Sequence, residues 1–322
     1  MTTRALRFGI VAPPIESSAQ LRSLAREVED LGYSTLLFTD HFNATPAPLI
    51  AASVALACTD RLRVGTQVLA NPLRNPTVLA KEVTTLDLLS DGRFELGVGA
   101  GWPSDSPVGR SDSDQTGIDM GGNAERVDRL IDTVRLLRAF QEATEPHDVT
   151  GLRLDLRDVK PFPATGERRR TPVMIGGAGP RILRFAGAEA DIVNIAPRPP
   201  IKGRTATGSV AHGLTIDDQL AILRESAGAR YADLQLCVMS SNRPADNPSV
   251  TEEVGDRMER LAIELNVTPE IAAAMPTTLI GSVPALIDRI LDHRERYDIS
   301  YRTFPAAVRR DFAPVVAALA GR

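Results

Sequence analysis

The stretches RFGIVAPP (residues 7–14) and STLLFTDHF (34–42) flank an amphipathic segment, and reading them together decides the fold. Each is an apolar run of strand type, and the segment between them has helical spacing. Leu21, Leu24, Ala25, Val28 and Leu31 recur at i, i+3, i+4 and i+7, and Gly32 is placed to end the helix. The unit is therefore strand, helix, parallel strand. Its second strand delivers Asp40 and His41 at the C-terminal end, where parallel barrels keep their chemistry.

The same pattern recurs along the whole chain. Continuous Val-, Ile- and Leu-rich runs predict strands at 6–12, 35–39, 63–69, 94–100, 172–175, 191–195, 234–239 and 299–303, which is the number that closes a barrel. Pro76 opens the helix before SDGR, a turn that leads into the fourth strand. The expected fold is a (β/α)8 TIM barrel in one domain over residues 1–322, with insertions after strands four, six and seven.

At 322 residues and 43% hydrophobic content the chain can bury a full core. Its net charge of −4 comes with no basic block, so neither nucleic acid nor an anionic membrane is an expected partner. No leader-type apolar segment opens MTTRALRF and no run approaches the length of a membrane helix, so a cytoplasmic protein is expected. Cys58 and Cys237 have no metal-ligand spacing and are expected to be inert core thiols, with no metal site.

Two regions break the rhythm. Residues 104–123 are polar and rich in Gly, Ser and Asp, and are expected to form a loop or lid after strand four. Residues 198–213 form a second expected loop, carrying Lys202, Arg204 and His212. Alternating Leu152, Leu154 and Leu156 predict an exposed hairpin over 150–163, and 251–278 reads as helical with breaks near Pro269 and Pro276.

Only residues just beyond strand C-termini receive functional weight in such a barrel. In VMIGGAGPRILRFAG an apolar strand runs into Gly176, Gly177, Ala178 and Gly179, with Pro180 at a helix start. Backbone N–H groups of such a turn converge on an anion, and Arg181 can add a charge-assisted contact; the same turn also serves tight packing. It is not a P-loop, because the Lys-Ser/Thr ending is absent. In GVGAGW, Gly97, Gly99, Ala100 and Gly101 would let a flat ligand approach the backbone. Trp102 then packs as lid or core, or shields a bound ring; both readings stay open. His41 beside Asp40 suits a general acid. With no paired-carboxylate, Ser/His/Asp or HExxH pattern, the chemistry falls to a cofactor.

STLLFTDHF, LRVGTQVLANPLRNPTVLAKEVTTLDLLSDGRFELGVGAGW, VMIGGAGPRILRFAGAEADIVNI and TLIGSVPALIDRI together resemble the bacterial luciferase-like flavin- and deazaflavin-dependent oxidoreductases, most of all the coenzyme F420 branch. The resemblance implies Asp40 beside the deazaflavin and His41 as proton donor or substrate-orienting group. It also implies a non-prolyl cis peptide at Gln67-Val68 behind the central ring. By the same likeness Ala70, Ala100, Gly101 and Asp105 line the cofactor, and Gly177, Ala178, Gly179, Arg181 and Ile182 meet its phosphate. Trp102, grouped with His41 as catalytic, stands where the sugar-phosphate dehydrogenases of the branch carry a catalytic glutamate. Glucose-6-phosphate oxidation is therefore not expected, and a larger or more apolar small molecule or modified peptide is.

The activity implied is hydride transfer between deazaflavin C5 and an organic C=C, C=N or C=O group, in a homodimer. An FMN-dependent monooxygenase, with Trp102 helping to exclude water, is the alternative. A flavin-binding protein without turnover is a third reading, opposed by the retained acid, histidine and Gly-rich loop.

Overall fold

The computed structural model describes residues 4–42, 45–160, 162, 170–197, 214–240, 254–265 and 267–322. The strands are β1 (Arg7–Val11), β2 (Thr35–Phe38), β3 (Arg63–Thr66), β4 (Leu69–Ala70), β5 (Phe94–Gly99), β6 (His147–Thr150), β7 (Asp155–Val159), β8 (Val173–Gly176), β9 (Ile192–Ile195), β10 (Gln235–Met239) and β11 (Ile299–Pro305). The helices are α1 (Ser18–Asp30), α2 (Pro48–Ala57), α3 (Pro76–Leu89), α4 (Pro107–Thr116), α5 (Asn123–Glu142), α6 (Pro180–Glu189), α7 (Ile216–Ala227), α8 (Val254–Leu265), α9 (Pro269–Ala274), α10 (Val283–Tyr297) and α11 (Ala313–Leu319).

The main sheet runs β3-β2-β1-β11-β10-β9-β8-β5, with the short β4 beside β5, and pairing of β3 with β5 closes the ring. The fold is a (β/α)8 barrel. β2 and β5 are buried at every residue, as strands covered on both faces must be. Helix starts follow the punctuation in the sequence. Asn75 caps α3, its side chain accepting from Thr77 N at 3.0 Å and Val78 N at 3.2 Å, with Pro76 at the first position.

By contacts the chain divides into two compact units. The first comprises Met1–Pro13, Leu24–Leu36 and Gly177–Arg322, and the second Pro14–Ser23 and Leu37–Gly176. Within the first, β1 and β10 pair in parallel with β11, and β9 with β10. Its core includes Phe304, stacked on Phe312 at 4.3 Å and on Phe8 at 6.3 Å between ring centroids. Within the second, β5 pairs with β3, β4 and β8. The antiparallel β6–β7 hairpin is tied to α5 by the buried Asp132 carboxylate, which accepts from Leu152 N at 2.7 Å and Arg153 N at 2.6 Å.

Four sequence expectations need correction or completion. The third strand is not continuous over 63–69 but splits into β3 and β4. Residues 104–123 are not simply a loop: they hold α4, started by Ser106, whose hydroxyl accepts from Gly109 N at 3.1 Å, and ended by Gly117 at φ 69°. The hairpin runs over 147–159 rather than 150–163, because Asp132 draws Leu152 and Arg153 into its turn. The helical segment near 251–278 is two helices, with Pro269 opening the second. The loop bearing Lys202, Arg204 and His212 lies outside the described residues.

Candidate active site

Asp40 follows β2 and is only 6% exposed. Its carboxylate accepts from Ala70 N at 2.8 Å and from both arms of Arg74, one at 3.1 Å and the other closer. A carboxylate this buried needs such a partner. Asp40 thereby fixes the strand end that carries Ala70. Arg74 is absent from the sequence-level site; the only available signal is its position just after the Asn71-Pro72 turn.

The peptide bond between Gln67 and Val68 is cis, as the resemblance implies. Around it the ladder is replaced by side chains: Thr66 Oγ1 donates to Gly97 O at 2.7 Å and accepts from Gly97 N at 3.0 Å. This corrects the reading of the glycines. A Cβ on Gly97 would sit 1.8 Å from the Thr66 carbonyl oxygen, and one on Gly99 2.8 Å from Val68 Cγ2. The space beside them is filled by the protein's own bulge rather than left for a flat ligand. At Gly101, φ is 78° and Pro72 Cδ would lie 3.1 Å from an added Cβ.

His41 follows directly on Asp40. Its ring lies 6.4 Å from that of Trp102, tilted by 40°. Nδ1 is buried without a hydrogen-bond partner among the described residues, while the side chain as a whole is 30% exposed. Facing Nδ1 at 4.0 Å is Asp112 Oδ2 from α4, and the other oxygen of Asp112 accepts from Phe42 N at 3.2 Å. Asp112 is the second residue the sequence reading leaves out, since it lies in the stretch taken for a loop.

Behind Trp102, the buried Arg126 of α5 donates to Gly101 O at 2.7 Å and to the side chain of Asn123. Burial lowers the pKa of its guanidinium, and nearby Asp105 pulls the other way. In the second unit, then, Asp40 binds Ala70 and Arg74, His41 lies near Trp102 and Asp112, and Arg126 holds the Gly101 carbonyl; Gln67 and Val68 lie between β3 and β4, Ala100 follows β5 directly, and Asp105 is exposed.

In the first unit, the chain leaving β8 passes through Gly177 and Ala178 to Gly179, the N-cap of α6. Gly179 has no side chain to cap that helix, and Pro180 takes its first turn. Ile182 packs over Gly177, where an added Cβ would meet its Cγ2 at 2.6 Å. Arg181 is exposed at the first turn. Among the described residues no cluster of His, Cys, Asp and Glu could hold a metal ion.

A 4-hydroxyprotoasukamycin monooxygenase of Streptomyces nodosus subsp. asukaensis is 30% identical over 84% of this chain and 76% of its own length. An F420-dependent glucose-6-phosphate dehydrogenase of Nakamurella multipartita is 29% identical over 73% of this chain, which spans 66% of that enzyme. The coenzyme F420-dependent tetrahydromethanopterin reductase of Methanopyrus kandleri superposes with a TM-score of 0.71 over 98% of this chain and 99% of its own, a likeness of fold at 16% identity. The luciferase-like monooxygenase family matches residues 5–227, and the chain belongs to it.

Proposed function

We propose that this chain is a coenzyme F420-dependent oxidoreductase that moves a hydride between the deazaflavin and an organic C=C, C=N or C=O group. The observation that carries the reading is His41: a half-buried imidazole at the C-terminal end of β2, beside the chain's only tryptophan. The residues present fit the cofactor. In the second unit the buried Ala70 and Ala100 offer apolar surface to a ring. When bound, the deazaflavin supplies a hydride carrier with little oxygen chemistry.

The chain's own residues supply the rest. Asp40 and Arg74 hold Ala70 in place, and Arg126 holds the Gly101 carbonyl ahead of Trp102. Trp102, 37% exposed, covers the edge of the site and excludes water there. His41 gives a proton to the substrate atom that gains charge in reduction, and takes it back in oxidation. Trp102 in place of a carboxylate supports a substrate other than a sugar phosphate, either a small organic molecule or a modified peptide.

A second reading, FMN-dependent monooxygenation, is favoured by the 30% identity to a monooxygenase over 84% of the chain. Titration of the purified protein with F420 and FMN separates the two. We expect F420 to bind at least about tenfold more tightly, because a longer anionic tail gains more from phosphate contacts. Equal or tighter FMN binding would overturn the reading. We further propose a cytoplasmic homodimer, for which light scattering of the same preparation is the direct check.

A further inference from the structure

Helix α4 ties two loops together. A Cβ on Gly109 would lie 2.1 Å from the Pro103 carbonyl oxygen and 3.0 Å from that of Trp102, so the helix rests directly on the Trp102–Pro103 backbone. The Ser106 hydroxyl donates to the same Pro103 carbonyl at 2.7 Å. One turn on, the side chain of Asp112 is only 5% exposed and is aimed at the loop after β2.

The two oxygens of Asp112 divide their work. Oδ1 accepts from Phe42 N at 3.2 Å, and Oδ2 stands 4.0 Å from His41 Nδ1. That nitrogen is buried with no hydrogen-bond partner among the described residues, so the ring's exposure lies on its other side. Asp40, the neighbouring acid, is committed to Arg74 and Ala70. Trp102 presents no charge. Asp112 is therefore the acidic group set against His41 Nδ1 among the described residues.

We infer that Asp112 is a positioning residue that fixes the tautomer of His41, with the proton on Nδ1 and the working lone pair on Nε2. A carboxylate can only accept, so the nitrogen it faces must donate. A small rotation of either side chain turns the 4.0 Å approach into a hydrogen bond, and contacts of this kind tighten when the reacting partner docks. Neutral His41 then presents Nε2 as a base, and the imidazolium presents Nε2–H as an acid, with Asp112 stabilising the charge. The same helix seats Trp102 and His41, so α4 couples the geometry of the two. This use of His41 rests on the proposed oxidoreductase reading, but the tautomer does not.

The test is imidazole 15N chemical shifts of wild type and Asp112→Asn in alkaline buffer without cofactor, with the His41 signals assigned through His41→Asn. In the variant the amide oxygen goes to Phe42 N–H and the NH2 group faces Nδ1. We expect neutral His41 to change from mainly Nδ1–H to mainly Nε2–H. In turnover, kcat should fall by about 100-fold with cofactor affinity within about twofold, as happens when a histidine is held in the wrong tautomer. Wild-type His41 carrying its proton on Nε2 would overturn the inference, even if the variant did not fold. So would an unchanged tautomer in a folded variant. Failure to bind F420 would refute the proposed function and leave the tautomer result standing.

Discussion

Removing Arg74 should expose what the buried acid after β2 costs when it stands alone. In Arg74→Ala, the Asp40 carboxylate, 6% exposed, keeps Ala70 N–H and loses both guanidinium contacts. Stripping the partner from a fully buried ion pair costs about 3–5 kcal/mol. The Arg74 side chain is 20% exposed and its removal admits water, so we expect about 2–3 kcal/mol here. Asp40→Asn keeps an acceptor for Ala70 but turns an NH2 group toward the guanidinium, at about 2 kcal/mol. Because each substitution orphans the same pair, the double variant should lose about 2–3 kcal/mol rather than the sum, a coupling of about 2 kcal/mol. Urea unfolding followed by Trp102 fluorescence and far-UV circular dichroism measures this, with coincident transitions required. Additivity within about 0.5 kcal/mol would show that the two side chains do not act as a pair.

Gly97→Ala should abolish soluble expression, since its Cβ would overlap the Thr66 carbonyl at 1.8 Å, whereas Gly122→Ala, which meets nothing within 4 Å, should express and melt as the parent does. Replacing His41 by Ala should lower turnover by about 10² to 10⁴ with cofactor affinity nearly unchanged; an unimpaired variant would move the acid's role elsewhere. A pH series should show the effect of His293, whose Nδ1 lies 2.7 Å from a guanidinium nitrogen of the buried Arg302 and must accept from it. Burial, Arg302, Arg289 and Arg296 push the pKa of His293 down to about 3. Between pH about 6.5 and 3 the unfolded chain binds a proton that the folded chain refuses, so stability falls as pH drops through that window. His293→Gln, which can still accept from Arg302, should lose that component; a wild-type minus variant difference that stays flat from pH 7.5 to 5 would disprove it.

The barrel was legible because its signal is redundant. Strands such as β2 and β8 are continuous apolar runs, and helices such as α3 are bounded by residues whose chemistry starts or stops them, Asn75-Pro76 before it and Asp91-Gly92, with φ of 54° and 79°, after it. Strand three shows the limit of that signal. RVGTQVLA is apolar enough to read as one strand, and the break at Gln67-Val68 depends on a non-local fit. Thr66 and Val68 occupy the room left by Gly97 and Gly99 of the neighbouring strand. Glycines in a strand announce a close approach, but not whether a ligand or the protein's own chain makes it.

The site was legible in the same proportion. Residues that lie at strand ends, such as Asp40 and His41, could be placed from position alone; the residues that aim them could not. Arg74 reaches Asp40 across a sequence separation of 34, and Asp112 reaches Phe42 across 70. Yet α4 was not silent. PVGRSDSDQT lacks an apolar stripe and is poor in strong helix formers, which made it look like a loop. Its ends carry a full set of boundary signals: Ser106 as cap, Pro107 in the first turn, and Gly117 in the left-handed region. A short polar helix bounded this clearly gains little stability from its own sequence, so tertiary contacts must hold it. In α4 those contacts run through Gly109 to Trp102 and Pro103, and through Asp112 to His41 and Phe42. The helix persists because it clasps the two loops that carry the candidate catalytic side chains. A polar segment with strong caps, placed directly after a barrel strand's C-terminal end, is therefore better searched for residues that orient the site than set aside as a lid.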